Sequence, residues 1–114
     1  MKRTYKDYIL DAITSIQEIE EFTKGMRFET FVKDKKTINA VIRSLEVMGE
    51  AVKKIPSEIR KKYPEIPWKY IAAMRDKLIH EYHGVDLEIV WEVTEKEIPP
   101  LKAKFEKILE ELKD

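Results

Sequence analysis

Apolar residues recur three and four positions apart along nearly the whole chain, which is the period of an α-helix buried on one face. Tyr5, Tyr8, Ile9, Ala12, Ile13, Ile16, Ile19 and Phe22 form one such stripe and predict a first helix over Thr4 to Lys24. Thr4-x-x-Asp7 has the form of a capping box with the shorter acid, and Gly25 supplies a stop. Met26 to Phe31 reads as a connection whose Met26, Phe28 and Phe31 tuck into the core. Ile38, Val41, Ile42, Leu45, Met48 and Val52 make the apolar face of a second helix over Asp34 to Ile55, ended by Pro56. Gly49 lies on that face and predicts the close approach of another helix.

Ser57 to Tyr63, between Pro56 and Pro64, predicts one short helical turn. Pro67 opens a third helix over Trp68 to Ile79, with Gly84 at its exit. Asp86 is placed to cap the next helix, with Val85 stapled onto Val90. That helix carries Leu87, Ile89, Val90, Trp91 and Val93, and continues past a kink at Pro99-Pro100 with Leu101, Phe105, Ile108, Leu109 and Leu112. Strand alternation is missing throughout, so the expected fold is all-α, a bundle of four or five helices in one domain spanning 1–114.

Composition narrows the function. The 114 residues contain 22 basic and 22 acidic side chains and no Cys. A thiolate zinc site and a disulfide framework are therefore excluded. Zero net charge argues against coating nucleic acid by bulk electrostatics. The charge is uneven, however. Lys53 to Lys77 holds eight basic and three acidic residues, and Asp86 to Asp114 holds five and nine, so a local anion-binding face is compatible with neutrality. Solvated helix faces would give the same counts. Lys and Glu dominate, and Asn39 and Gln17 are the single amides of their kinds, a pattern of heat-adapted proteins. With no long apolar run and an amphipathic start, the expected location is cytoplasmic, with no membrane span and no secretory signal.

One residue breaks the helical pattern. On the third helix, Trp68, Ile71, Ala72, Met74, Leu78 and Ile79 share an apolar arc, and Arg75 falls in its middle. A guanidinium there needs a carboxylate or a wet cleft. Tyr82 lies two turns further along the same face. His80, five residues from Arg75, is rotated by about 140° on a regular helix. The two converge only if the helix unwinds near His80 or if each comes from a different subunit. The ordinary alternatives are an ion pair of Arg75 with Glu46 or Glu50, helix-end capping by His80 and His83, and a core-edge role for Tyr82. His80 and His83 lack a clear third and fourth ligand, so no metal site is expected.

The stretch Met74-Arg75-Asp76-Lys77-Leu78-Ile79-His80-Glu81-Tyr82 carries Arg-x4-His-x-Tyr. It resembles the signature of the HEPN superfamily, in its HepT-like branch. The flanks are similar too: Pro64-Glu65-Ile66-Pro67-Trp68 before it, Gly84 to Trp91 after it, and Asn39 to Glu46 with Gly49-Glu50-Ala51 upstream. The resemblance implies a HEPN-type homodimer, a metal-independent endoribonuclease that needs no cofactor and acts as the toxin of a toxin–antitoxin pair. Its implied partner is a minimal nucleotidyltransferase antitoxin, which silences it by transferring AMP to the motif tyrosine. By resemblance, Arg75 binds the phosphate, His80 is the catalytic acid–base, Tyr82 is the modified residue, and Asp76 stands where the family places a supporting polar residue.

That assignment is chemically coherent. RNA brings its own nucleophile, the 2′-OH, so no protein nucleophile is required. Imidazole transfers protons near neutral pH, and guanidinium matches phosphate geometry. A rival reading is a non-catalytic helical module that binds a nucleotidyltransferase. A third is a purely structural bundle, which predicts an internally paired Arg75 and a monomer.

Overall fold

The computed structural model describes residues 3–81 and 84–112. Every regular element in it is helical. Helix α1 spans Tyr5–Thr23, α2 Phe28–Phe31, α3 Lys35–Lys53, α4 Ser57–Lys62, α5 Trp68–His80, α6 Leu87–Glu92 and α7 Ile98–Glu111. A π-helical turn, Val93–Glu97, joins α6 to α7.

The ends of these helices follow from short-range chemistry. The Thr4 backbone N–H donates to the Asp7 carboxylate at 2.9 Å, which closes the capping box of α1. Gly25 follows the cap of α1 with φ +76°, a conformation that costs a Cβ-bearing residue steric energy. Asp34 caps α3 by accepting from the Thr37 N–H at 3.0 Å, and Asp86 caps α6 by accepting from Glu88 N–H at 3.0 Å.

Helix α3 is the centre of the bundle. It packs against α1 on one side and α5 on the other, and α7 closes over α1. Ile9, Ile16, Ile19, Leu45, Met48, Ile71, Phe105 and Ile108 are fully buried where these helices meet. The Trp68 ring meets Phe105 edge-on at 5.9 Å, and its indole N–H donates to the Tyr63 carbonyl at 2.9 Å. This ties the start of α5 to the connection behind α4. Phe31 is buried as the sequence predicts, and stacks on Trp91 at 5.0 Å. Met26 and Phe28 are only half-buried.

Three details depart from the pattern reading. The stretch expected as a bare connection contains the one-turn helix α2. Phe22, placed on the buried stripe of α1, is exposed, and the neighbouring Thr23 is buried in its stead, its hydroxyl donating to the Ile19 carbonyl at 2.9 Å. The kink assigned to Pro99-Pro100 lies just before them. Two consecutive prolines remove two backbone donors. The chain absorbs this in the widened π turn, where the Ile98 N–H reaches back to the Val93 carbonyl and the Thr94 hydroxyl donates to the Val90 carbonyl at 3.0 Å.

Among the described residues no helix is long and apolar enough to cross a membrane.

Candidate active site

Gly49 decides where Arg75 goes. A Cβ at position 49 would overlap the Arg75 Cβ, lie 2.8 Å from its Cγ and 3.2 Å from the Ile71 carbonyl oxygen. The bare glycine therefore lets the stem of Arg75 lie flat on α3. The close approach expected from the sequence is this one.

From there the guanidinium reaches the edge of the helix pair. Its Nη2 is 2.8 Å from Glu50 Oε1 on α3, and its Nη1 donates to Asp76 Oδ1 at 2.8 Å. Asp76 Oδ1 also accepts from Lys53 Nζ at 3.1 Å. Glu50, Arg75, Asp76 and Lys53 thus form a chain of alternating charge between α3 and α5. The Nε of Arg75 is buried without a partner, so its terminal nitrogens carry the polar contacts. Hydrogen bonding to Asp76 raises the Arg75 pKa above its ordinary value, and the Arg75 and Lys53 bonds pull the Asp76 carboxyl below its own.

This chain of charges is not a sealed core ion pair. The Arg75 side chain is 25% exposed and that of Glu50 45% exposed. Both line a pocket of about 260 Å³ between α1, α3 and α5. Arg3, Tyr8 and Asp11 form its wall from α1 and the residues before it, and Arg43, Glu46 and Lys54 from α3. Arg3 pairs with Asp11 and lies over the Tyr8 ring, 4.9 Å from its centroid. Arg43 stands 3.7 Å from Glu46.

His80 is exposed in the last turn of α5. The helix stays regular through His80 and is capped at Glu81, so the unwinding that would swing His80 back toward Arg75 within one chain does not occur. Ile79, four residues from Arg75, lines the pocket; His80 does not. Tyr82 and His83 lie outside the described residues. Of the arc residues, Trp68, Ile71 and Leu78 are buried, whereas Ile79 is exposed, so Arg75 sits at the border of the apolar face and not at its centre.

The chain matches the family model described as Ribonuclease HepT-like over residues 12–108. It belongs to the HepT-like ribonuclease family. A protein of Thermococcus cleftensis named "Probable ribonuclease HepT" is 54% identical over 108 residues, covering 95% of this chain and 98% of that protein. A Methanocaldococcus jannaschii protein, whose name provisionally assigns it as an RNase, is 52% identical over 99% of this chain and 97% of its own length. A third, from Caldanaerobacter subterraneus and named in the same way, is 47% identical over 97% of this chain and 99% of its own. No solved structure matches the chain.

Sequence reasoning named Glu50 only as an optional structural partner for Arg75, and it overlooked Lys53 and the α1 wall. The pairing is legible in retrospect: Gly49 marks where α5 crosses α3, so Glu50 beside it and Lys53 three residues on are the side chains within reach of residues 75 and 76. The contribution of Arg3, Tyr8 and Asp11 has no local signal, because it depends on how α1 leans against α3.

Proposed function

We propose that this HepT-like protein is an endoribonuclease, the toxin of a toxin–antitoxin pair. The observation that carries the reading is a partly exposed arginine at the border of an apolar face, lining an open pocket and with its stem held by Gly49. Exposure lowers the desolvation cost of any ion pair, but a phosphate-binding arginine requires it, since the ligand must reach the guanidinium. The names of the relatives support the same class of activity.

In this mechanism Arg75 holds the scissile phosphate and stabilises charge developing on the phosphorane oxygens. His80 transfers a proton, the 2′-OH attacks phosphorus, and a 2′,3′-cyclic phosphate is left. The reaction runs without a metal or cofactor. Because His80 points about 140° away from Arg75 on an unbroken helix, the centre is completed by a second copy, with Arg75 of one protomer and His80 of its partner across a two-fold axis. Asp76 supports the site by fixing one edge of the guanidinium. A minimal nucleotidyltransferase antitoxin silences the toxin by adding AMP to Tyr82, a modification whose bulk and negative charge oppose RNA binding. The protein acts in the cytoplasm.

The test is cleavage of RNA without divalent metal by the wild type, Arg75→Ala and His80→Ala. Cleavage by the wild type that both variants lose, with a cyclic phosphate on the product, is the expected result. A wild type that cuts nothing leaves the non-catalytic partner module as the better reading.

A further inference from the structure

Cleavage by 2′-OH attack needs two proton transfers: a base takes the 2′-O–H proton, and an acid protonates the departing 5′-oxygen. One imidazole is assigned, and it lies off the pocket that holds Arg75. Asp11, Glu46 and Glu50 line the pocket, and Asp76 lies beside it on the far edge of the Arg75 guanidinium. Asp76 Oδ1 is shared by Arg75 and Lys53, and both cations hold its carboxyl below the usual range, which makes it a weak base. Asp11 is engaged by Arg3. Glu46 is the most covered, with a side chain 18% exposed beside Arg43.

Of the carboxylates lining the pocket, Glu50 is the one paired with Arg75, and a single cation holds it at hydrogen-bond distance where two hold Asp76. Its Oε1 contacts Arg75 Nη2 at 2.8 Å, while its Oε2 is 3.9 Å from Lys54 Nζ, beyond hydrogen-bond distance. The carboxylate thus has one oxygen anchored on the guanidinium and a second with no hydrogen bond among the described residues, on a side chain that lines the open pocket. A phosphate seated on the same guanidinium would bring its ribose 2′-OH alongside that free oxygen.

We propose that Glu50 is the general base of the reaction, accepting the 2′-OH proton on Oε2 while Arg75 holds the phosphate; this rests on the ribonuclease reading. The 2′-oxygen forms its bond to phosphorus, the P–O5′ bond breaks, and the 5′-oxygen takes a proton from the His80 imidazolium. The products are a 2′,3′-cyclic phosphate and a 5′-hydroxyl. The next turnover requires Glu50 to release its proton and His80 to regain one from water. Arg3, Arg43, Lys54 and Arg75 surround the carboxylates in the pocket, so an incoming phosphate does not meet uncompensated negative charge.

The experiment uses the full chain, with single-turnover cleavage of RNA across pH and, separately, binding of an all-2′-O-methyl RNA of the same sequence, which cannot be cut. Glu50→Gln keeps a hydrogen-bonding oxygen for Arg75 but is not a base. It is expected to slow cleavage about 100-fold or more, to abolish the acid limb of the pH profile, and to leave 2′-O-methyl RNA binding within about three-fold. Glu50→Asp retains a carboxylate set back by one methylene. It is expected to keep the acid limb, with a rate lowered about ten-fold or more by misplacement. Cleavage by Glu50→Gln within about three-fold of wild type overturns the proposal, as does loss of 2′-O-methyl RNA binding in step with cleavage, which would make Glu50 a holder of Arg75 and nothing more. Should Glu50→Gln fail to fold, a Glu50→Asp variant at the wild-type rate overturns it equally. A wild type that binds RNA but never cuts it refutes the ribonuclease reading itself, a result distinct from a wild type that cuts as fast as Glu50→Gln.

Discussion

Replacing Gly49 by Ala tests the crossing of α3 and α5 directly. In an open helix this change would stabilise by roughly 1 kcal/mol, the difference in helix propensity. Here the new methyl group would overlap Arg75 Cβ and stand 2.8 Å from its Cγ and 3.2 Å from the Ile71 carbonyl. Two of the three nearest atoms belong to the stem of a side chain close to its own backbone, and the third is main chain, so none can swing aside. The helices must separate, at a cost of about 1–3 kcal/mol or more for overpacking. Since the closest overlap is severe, the upper end applies, and a net loss of about 2 kcal/mol remains after the propensity gain. For a chain of this length roughly 4 °C is lost per kcal/mol, so the melting temperature falls by about 8 °C. Gly84→Ala is the control, because nothing lies within 4 Å of its Cβ position; it is expected to be neutral or slightly stabilising. Thermal unfolding followed by circular dichroism reads both. If Gly49→Ala melts within about 2 °C of wild type, the stem of Arg75 is not pinned on α3 and the site geometry fails with it.

Other outcomes follow from the same structure. Phe105→Ala removes a fully buried ring against Trp68 and should cost about 3–5 kcal/mol in denaturant unfolding. Asp86→Ala removes the cap of α6 and should cost about 1 kcal/mol by the same measurement; an unchanged midpoint would show that the cap contributes nothing. The Asp76 carboxyl is held below its unfolded value by Arg75 and Lys53, so its contribution to stability is complete above about pH 4 and fades as pH falls through the folded value. Wild type should therefore lose more melting temperature on acidification than Asp76→Asn. Partial desolvation of the phenol, on a residue still 46% exposed, and then the Glu97 carboxylate push the Tyr70 pKa up to about 12. Folded Tyr70 keeps its proton after the unfolded chain has lost it, so stability declines from about pH 10 upward. An ultraviolet titration should show a late-ionising tyrosine that Tyr70→Phe removes.

Most of the architecture was legible because each helix carries its own instructions. The 3.6-residue stripe marks which face is buried, and Thr4, Asp34, Asp86 and the glycine after α1 mark the ends. These signals act over a few residues. The misplaced Phe22 shows their limit: at the last turn of α1 the choice between Phe22 and Thr23 depends on what the neighbouring helices cover, not on spacing alone. Likewise two prolines announce a disturbance, but whether the chain kinks or widens into a π turn depends on the packing of the turns around it.

The site divides along the same line. That Arg75 and His80 occupy one helix, and that Gly49 awaits a close neighbour, follows from the order of residues. That Gly49 and Arg75 are the two partners, that Glu50, Asp76 and Lys53 extend from Arg75 in a chain of alternating charge, and that the residues around Tyr8 wall the pocket follows only from packing. Helical periodicity fixes the direction of each side chain about its own axis, but three helices must meet before their faces have neighbours, and the electrostatics of an arginine are set by those neighbours.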